Sequence, residues 1–157
     1  MKTILLLTGK TTDESVKRLI QLYTDRLRFY MDFETRVIPE LKDTRRLTES
    51  QQKEREGALL LKAAEGADEL ILLDERGTEF RSVEFAAWID KFRNAGRRKI
   101  VFAVGGPYGF SPAVYQAATG KISLSRMTFS HQLIRVLFTE QLYRAMTILK
   151  GEPYHHE

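Results

Sequence analysis

Apolar positions along the chain follow two alternating rhythms. Residues 2–8 (KTILLLT) form a short continuous apolar run, the pattern of a buried strand. Val16, Leu19, Ile20, Tyr23 and Leu27 then recur at helical spacing, with Lys17, Arg18, Gln21 and Asp25 between them. Thr11 and Glu14 suit a capping box at the start of that helix. Residues 33–38 (FETRVI) alternate as a strand does, and Pro39 ends them. Thr48 and Gln51 offer a second capping box, before a helix that buries Leu59, Leu60, Ala63 and Ala64 and stops at Gly66. Residues 69–74 (ELILLD) read as a third strand, with Arg76-Gly77 as a turn after it. Ser82 is placed to cap the helix VEFAAWIDKFRNAG, with Gly96 as its stop. Residues 99–104 (KIVFAV) give a fourth strand, and Ser111-Pro112 supplies a cap followed by proline at the first helical position. A short fifth strand is expected over 121–124, and a last helix over about 129–149, ending near Gly151.

Strand and helix alternate throughout. The order predicts one α/β domain over 1–157, with a mostly parallel sheet covered by helices on both faces. No repeat, low-complexity segment or linker interrupts it, and residues 40–47 are the best candidate for a mobile surface insertion. In such sheets ligands bind outside the carboxyl ends of the strands. Three segments with unusual chemistry leave strands there: LLDERGTEF (72–80), VGGPYGFSP (104–112) and SLSRMTFSHQ (123–132).

Composition narrows the chemistry. There is no cysteine, so disulfides, thiolate catalysis and cysteine-ligated zinc are excluded, and no metal site is expected. The opening MKTILLLTGK has too short an apolar run for a signal peptide, and no stretch reaches the roughly 18 apolar residues of a spanning helix. A cytoplasmic protein without membrane attachment is expected. The net charge of +4 is a mild bias toward polyanions, densest at Arg45-Arg46 and Arg97-Arg98-Lys99.

The short motifs separate on spacing. TGKTT (8–12) lacks the glycine that a phosphate-binding loop needs five residues earlier, where Ile4 stands, so it reads as a strand-to-helix turn. GGPYG (105–109) is not GxGxxG, yet its adjacent glycines permit close approach of a ligand as readily as a tight turn. Asp74, Glu75 and Glu79 offer paired carboxylates, but ordinary loop acids are the better reading. Ser125 and Ser130 have no nucleophile elbow, and Ser130 and His131 are adjacent, a poor geometry for a hydrolase dyad. A helix cap, or a loop whose free amides hold a ligand, fits 123–132 better.

Taken together, ILLDERG, FAVGGPYGFS, SLSRMTFSHQLIRVLFTEQLYRA and the terminal GEPYHHE resemble the RlmH family of SPOUT-class methyltransferases over essentially the whole chain. The resemblance implies a SPOUT fold with a C-terminal trefoil knot, S-adenosylmethionine as cofactor and a homodimer with its site at the subunit interface. It implies methylation of N3 of a pseudouridine in helix 69 of 23S ribosomal RNA, on the assembled ribosome. By matching motifs, the cofactor would be held by Leu73, by Gly105, and by Leu124, Ser125, Arg126, Met127, Thr128 and Phe129. The family's tail reads PYHR before an acid, or YHK; here Tyr154 and His155 match and His156 replaces the cation.

N3 of pseudouridine is an imide nitrogen that must shed its proton to attack, and His155 is the candidate to assist, as general base or hydrogen-bond partner. Arg135, Arg144, Tyr154 and His156 are candidate RNA contacts, with salt bridging in the dimer as the alternative for the two arginines. A non-catalytic ribosome- or RNA-binding module of SPOUT-like fold is the competing reading.

Overall fold

In the computed structural model, which describes residues 1–157, five parallel strands carry the chain. They are β1 (Lys2–Thr8), β2 (Asp32–Ile38), β3 (Glu69–Glu79), β4 (Lys99–Val104) and β5 (Gly120–Ser123), in the order β2-β1-β4-β3-β5. The helices between and after them are α1 (Glu14–Leu27), α2 (Glu49–Ala63), α3 (Ser82–Asn94), α4 (Pro112–Ala117) and α5 (Leu133–Leu149). Because side chains alternate along a strand, each strand feeds two cores. Leu5, Leu7, Ile71, Phe102 and Val104 face one way, against Leu27 of α1, Ile89 of α3 and Phe138 and Leu142 of α5. Ile4, Leu6, Leu72, Val101 and Ala103 face the other way, against Leu60 of α2 and Val114 of α4. A strand buried on both faces must be apolar at every position, which is why β1 and β4 read as unbroken runs.

Several boundaries differ from those expected, each for a local reason. Asp13, not Thr11, caps α1: its carboxylate accepts from the amides of Ser15 and Val16, while the Thr11 hydroxyl is engaged elsewhere. At α3 the cap position is Arg81, whose amide donates to Glu84, and Ser82 is already helical. The Thr48–Gln51 capping box forms as expected. Residues 44–46 of the expected insertion make a single 3-10 turn. The last helix begins at Leu133 rather than near 129, because Ser130 accepts from the Leu133 amide through its hydroxyl and from the Ile134 amide through its carbonyl.

The largest correction lies at the carboxyl end of β3. Arg76-Gly77 is not a turn that ends the strand. β3 runs on to Glu79 through a register shift between Leu73 and Thr78, after which Thr78 pairs with Ile122 and Glu79 with Ser123. Gly77 makes this possible: a Cβ there would lie 2.6 Å from the Ile122 backbone nitrogen. The bulge leaves Asp74, Glu75 and Arg76 at the sheet end, where they line a cavity.

Candidate active site

The three strand-end segments singled out by sequence converge. Leu73 through Arg76, Val104 through Phe110 and Ile122 through Ser125, with Met127 through His131, line one cavity of about 590 Å³. All the matched cofactor positions except Arg126 are in its wall. Its lining is mixed: Leu73, Val104, Ile122, Leu124 and Ile134 are apolar, and Asp74, Glu75, Ser125 and Thr128 are polar.

Each loop is held in place by its own chemistry. In GGPYG the Gly109 amide donates to the Gly106 carbonyl at 3.1 Å, and Gly109 takes φ +80°, a conformation costly for other residues. Gly106 is packed against α2, since a Cβ there would meet a Glu56 carboxylate oxygen at 2.7 Å. In the 124–129 loop the Ser125 hydroxyl accepts from the Met127 amide, and the Ser123 hydroxyl donates to the Ser125 carbonyl. The carboxylates of β3 brace that loop from outside. Thr128 donates to Glu75 at 2.9 Å and Arg126 donates to Glu79 at 3.2 Å. Glu75 and Glu79 therefore brace this loop; the expectation of ordinary loop acids is corrected in that both lie within the extended β3. Met127 is 76% exposed and contributes little packing before a ligand arrives.

Asp74 is buried beneath the rim. Its carboxylate accepts from the Tyr115 hydroxyl and from the Arg76 amide, with the Arg76 guanidinium 3.6 Å away. Burial alone would push its pKa up. The Tyr115 and Arg76 hydrogen bonds, with the charges of Arg76 and Lys121, outweigh that and hold it below the usual carboxylate value. It stays ionised at neutral pH and is no general acid.

Arg135 corrects an expectation. It is fully buried, so it does not offer its charge to RNA. Its guanidinium donates to the carbonyls of Thr8, Gly9 and His131 and to the Thr11 hydroxyl, all within 3.0 Å. Burial lowers its pKa, opposed by the Glu40 charge. Gln132 adds a second tie, accepting from the Thr12 amide and donating to the Lys10 carbonyl. TGKTT is thereby strapped to the turn that follows the 124–129 loop. Nothing in the spacing of Arg135 separated a buried strap from a surface cation; the signal was its flanks, Ile134 and Val136, on an apolar helix.

The tail lies elsewhere. Arg144 stacks over the Tyr154 ring at 4.7 Å and pairs with Glu140 at 2.6 Å. Tyr154 donates to the same Glu140, and its hydroxyl pKa is raised by burial and by that bond. His155 places Nδ1 3.4 Å from Arg144, while Nε2 is buried without a partner, as is Nε of Arg144. Glu152 and Glu157 add contacts to Tyr30 and Arg81. Arg144, Tyr154 and His155 are thus partly occupied within the chain, and only His156 of the four tail-side candidates is exposed and free. None of them lines the 590 Å³ cavity. Arg144 and Tyr154 instead border an apolar groove of about 560 Å³ on the other side of the 122–129 segment, with Leu19, Phe85, Val136 and Leu137.

Comparison with known proteins places this arrangement. A family described as "Predicted SPOUT methyltransferase" matches residues 1–155. Proteins named Ribosomal RNA large subunit methyltransferase H from Phocaeicola vulgatus and Porphyromonas gingivalis are 54% and 52% identical over 157 residues, the whole of both chains. The chain belongs to the RlmH family of SPOUT methyltransferases. Its fold agrees: a probable methyltransferase from Bordetella pertussis superposes with TM-score 0.60 at 11% identity, covering 92% of this chain and 96% of the other. A probable methylase family protein from Haemophilus influenzae gives 0.54 at 11% identity, covering 95% and 66%. No helix is long and apolar enough to cross a membrane, and no cluster of three or more metal-ligating side chains is present.

Proposed function

We propose that this SPOUT methyltransferase uses S-adenosylmethionine to methylate N3 of a pseudouridine in helix 69 of 23S ribosomal RNA, on the assembled ribosome, in the cytoplasm. The observation that carries the reading is the single cavity into which all three strand-end loops deliver their residues. Its volume lies within the usual range for small-molecule sites, about 300–1,000 Å³. The residues fit the cofactor's chemistry. Leu73, Ile122, Leu124 and Phe129 suit a flat adenine ring, and the backbone of 105–109 and 124–129 suits hydroxyl and amino-acid groups. When bound, the cofactor supplies an activated methyl group on sulfur. The protein's task is to place the imide nitrogen in line with it, and positioning can account for about 7–11 kcal/mol of barrier.

His155 remains the proposed proton acceptor. It does not line its own chain's cavity, so the proposal places it at the cavity of a second copy. An apolar groove shares Ile122, Ser123, Leu124 and Phe129 with the cavity wall, and the buried Nε of Arg144, which lines it, and Nε2 of His155 lack partners. A homodimer packed on this groove would cover the apolar face and bring tail and cavity together. Tyr154 and His156 would then stand near the RNA, and Arg144 would order the tail. The knot implied by the family resemblance would fix β5 and the 124–129 loop relative to β3.

Incubation with labelled S-adenosylmethionine and ribosomes from a strain lacking the modification tests the reading. Methyl incorporation into one nucleotide of 23S RNA is expected. Binding to ribosomes with no cofactor affinity by calorimetry would instead support a non-catalytic RNA-binding module.

A further inference from the structure

The cavity's outer rim carries a feature that the cofactor loops do not use. Two cations lie close to the Tyr115 ring, on α4. The Arg76 guanidinium lies 5.8 Å from its centroid and the Lys121 ammonium 5.6 Å. The Arg76 side chain is 73% exposed, and long exposed side chains are ordinarily mobile. This one is fixed: Nη2 donates to the Tyr115 hydroxyl at 3.1 Å, and Nε lies 3.6 Å from Asp74. Tyr115 is itself held by its bond to Asp74, whose side chain is only 6% exposed. A buried carboxylate is costly unless its acceptors are filled, and here it is filled by the groups that aim Arg76. Lys121 forms no ion pair of its own. Together they border a shallow depression with Thr119 and Gly120, which meets the cofactor cavity at Arg76 and Tyr115.

We propose that Arg76 and Lys121, both beside the Tyr115 ring at the cavity rim, bind a backbone phosphate of the substrate RNA. The inference rests on the rRNA-methyltransferase reading above. Its chemistry is that of a phosphodiester: a planar guanidinium offers paired donors to phosphate oxygens, and a mobile ammonium adds a point charge. The location argues against the cofactor as the ligand. Lys121 lies outside the cofactor cavity, and its partner Arg76 sits at the edge where the cavity opens. A strand that delivers a base into the cavity past Arg76 would bring its backbone phosphates, the anions it carries, to this pair of cations. Asp74 is a positioning residue in this scheme, acting through Tyr115 and Arg76.

The test uses full-length protein, S-adenosylmethionine and ribosomes lacking the modification, with Arg76→Gln, Lys121→Gln, their double variant, Arg76→Lys and Asp74→Asn. Ribosome binding is followed by filter retention across a salt series, methyl transfer by KM and kcat, and cofactor affinity by calorimetry. The double variant is expected to weaken ribosome binding about tenfold or more, to raise KM more than it lowers kcat, and to flatten the slope of log affinity on log salt by roughly 0.7–0.9 per lost contact. Cofactor affinity should stay within about threefold, and thermal midpoints should confirm folding. Arg76→Lys should recover part of the loss, and Asp74→Asn should mimic Arg76→Gln only in RNA binding. Unchanged ribosome affinity and salt slope in the folded double variant would overturn the proposal, as would a loss confined to cofactor affinity. If the wild type binds ribosomes but transfers no methyl group, the enzymatic reading fails, while the binding comparison still decides the phosphate contact. A wild type that binds no ribosomes overturns both.

Discussion

At the scale of single residues, the site is built from positions where a small change has one physical consequence. Gly105 lies at the carboxyl end of β4 with the Phe110 ring 3.3 Å from where its Cβ would stand. That contact is tight: the buried Phe110 ring and the Gly109 backbone carbon at 3.4 Å must give by a few tenths of an ångström. In Gly105→Val, the two γ-carbons must go into the ring or into the cavity. Calorimetry should show S-adenosylmethionine affinity reduced at least tenfold, with a thermal midpoint close to wild type; retained affinity would mean that 105–109 is only a turn. Asp74 supplies a pH signature. Its pKa is depressed in the fold, so its contribution to stability is present above the unfolded value of about 3.9 and is lost as pH falls below that, through the folded value. Acid titration of Asp74→Asn, followed by urea midpoints, should show a shallower loss of stability below about pH 4 than wild type. An identical acid limb in the two proteins would mean that Asp74 is not stabilised in the fold.

At the scale of elements, the strap between the β1–α1 turn and α5 ties distant parts of the chain together through a buried charge. Arg135 is a buried charge without a carboxylate partner, satisfied by three carbonyls and one hydroxyl. Arg135→Met keeps much of the volume and the apolar stem but leaves those acceptors unpaired. Unpaired buried polar groups cost about 1–3 kcal/mol each. A loss of roughly 3–5 kcal/mol is expected by urea denaturation, since such losses do not add fully. A change under about 1 kcal/mol would show that water replaces the guanidinium there. This strap also marks what the sequence withheld. Periodicity located β1 and β4 because two-sided burial writes itself into them as apolar runs, while α4 was legible only from its Ser111-Pro112 cap. It placed the three ligand loops at one sheet end for the same reason. It missed the extension of β3, because Arg-Gly after a strand has turn composition whether or not a neighbouring backbone needs the glycine's missing Cβ. It took Thr11 for a cap when Asp13 does that work, since both side chains can accept from amides and only the arginine 124 residues later decides between them. It read Arg135 as a surface cation, because burial of a charge depends on carbonyls contributed by a distant strand end.

At the scale of the whole molecule, one chain does not bring all the proposed site residues together. The cavity gathers the proposed cofactor positions, yet the tail histidine sits across the 122–129 segment, folded onto its own α5. A monomeric enzyme would leave His155 without a task and leave Leu19, 43% exposed, on the rim of an open apolar groove. Packing of a second copy on that groove, as proposed, would resolve both. Leu19→Glu tests this at a position outside the cofactor cavity, where an exposed helix surface tolerates the change. Analytical ultracentrifugation should show wild type as a dimer and Leu19→Glu shifted toward monomer, with its far-ultraviolet spectrum unchanged. Methyl transfer should fall with the dimer fraction and recover at high protein concentration, because mass action restores the interface. Mixing Gly105→Val with His155→Ala then asks which chain supplies which part. If the tail serves the partner's cavity, the mixed dimer contains one site with both an intact glycine loop and an intact His155, and activity rises above that of either variant alone. If the tail serves its own cavity, every site in the mixture carries one lesion and activity does not recover.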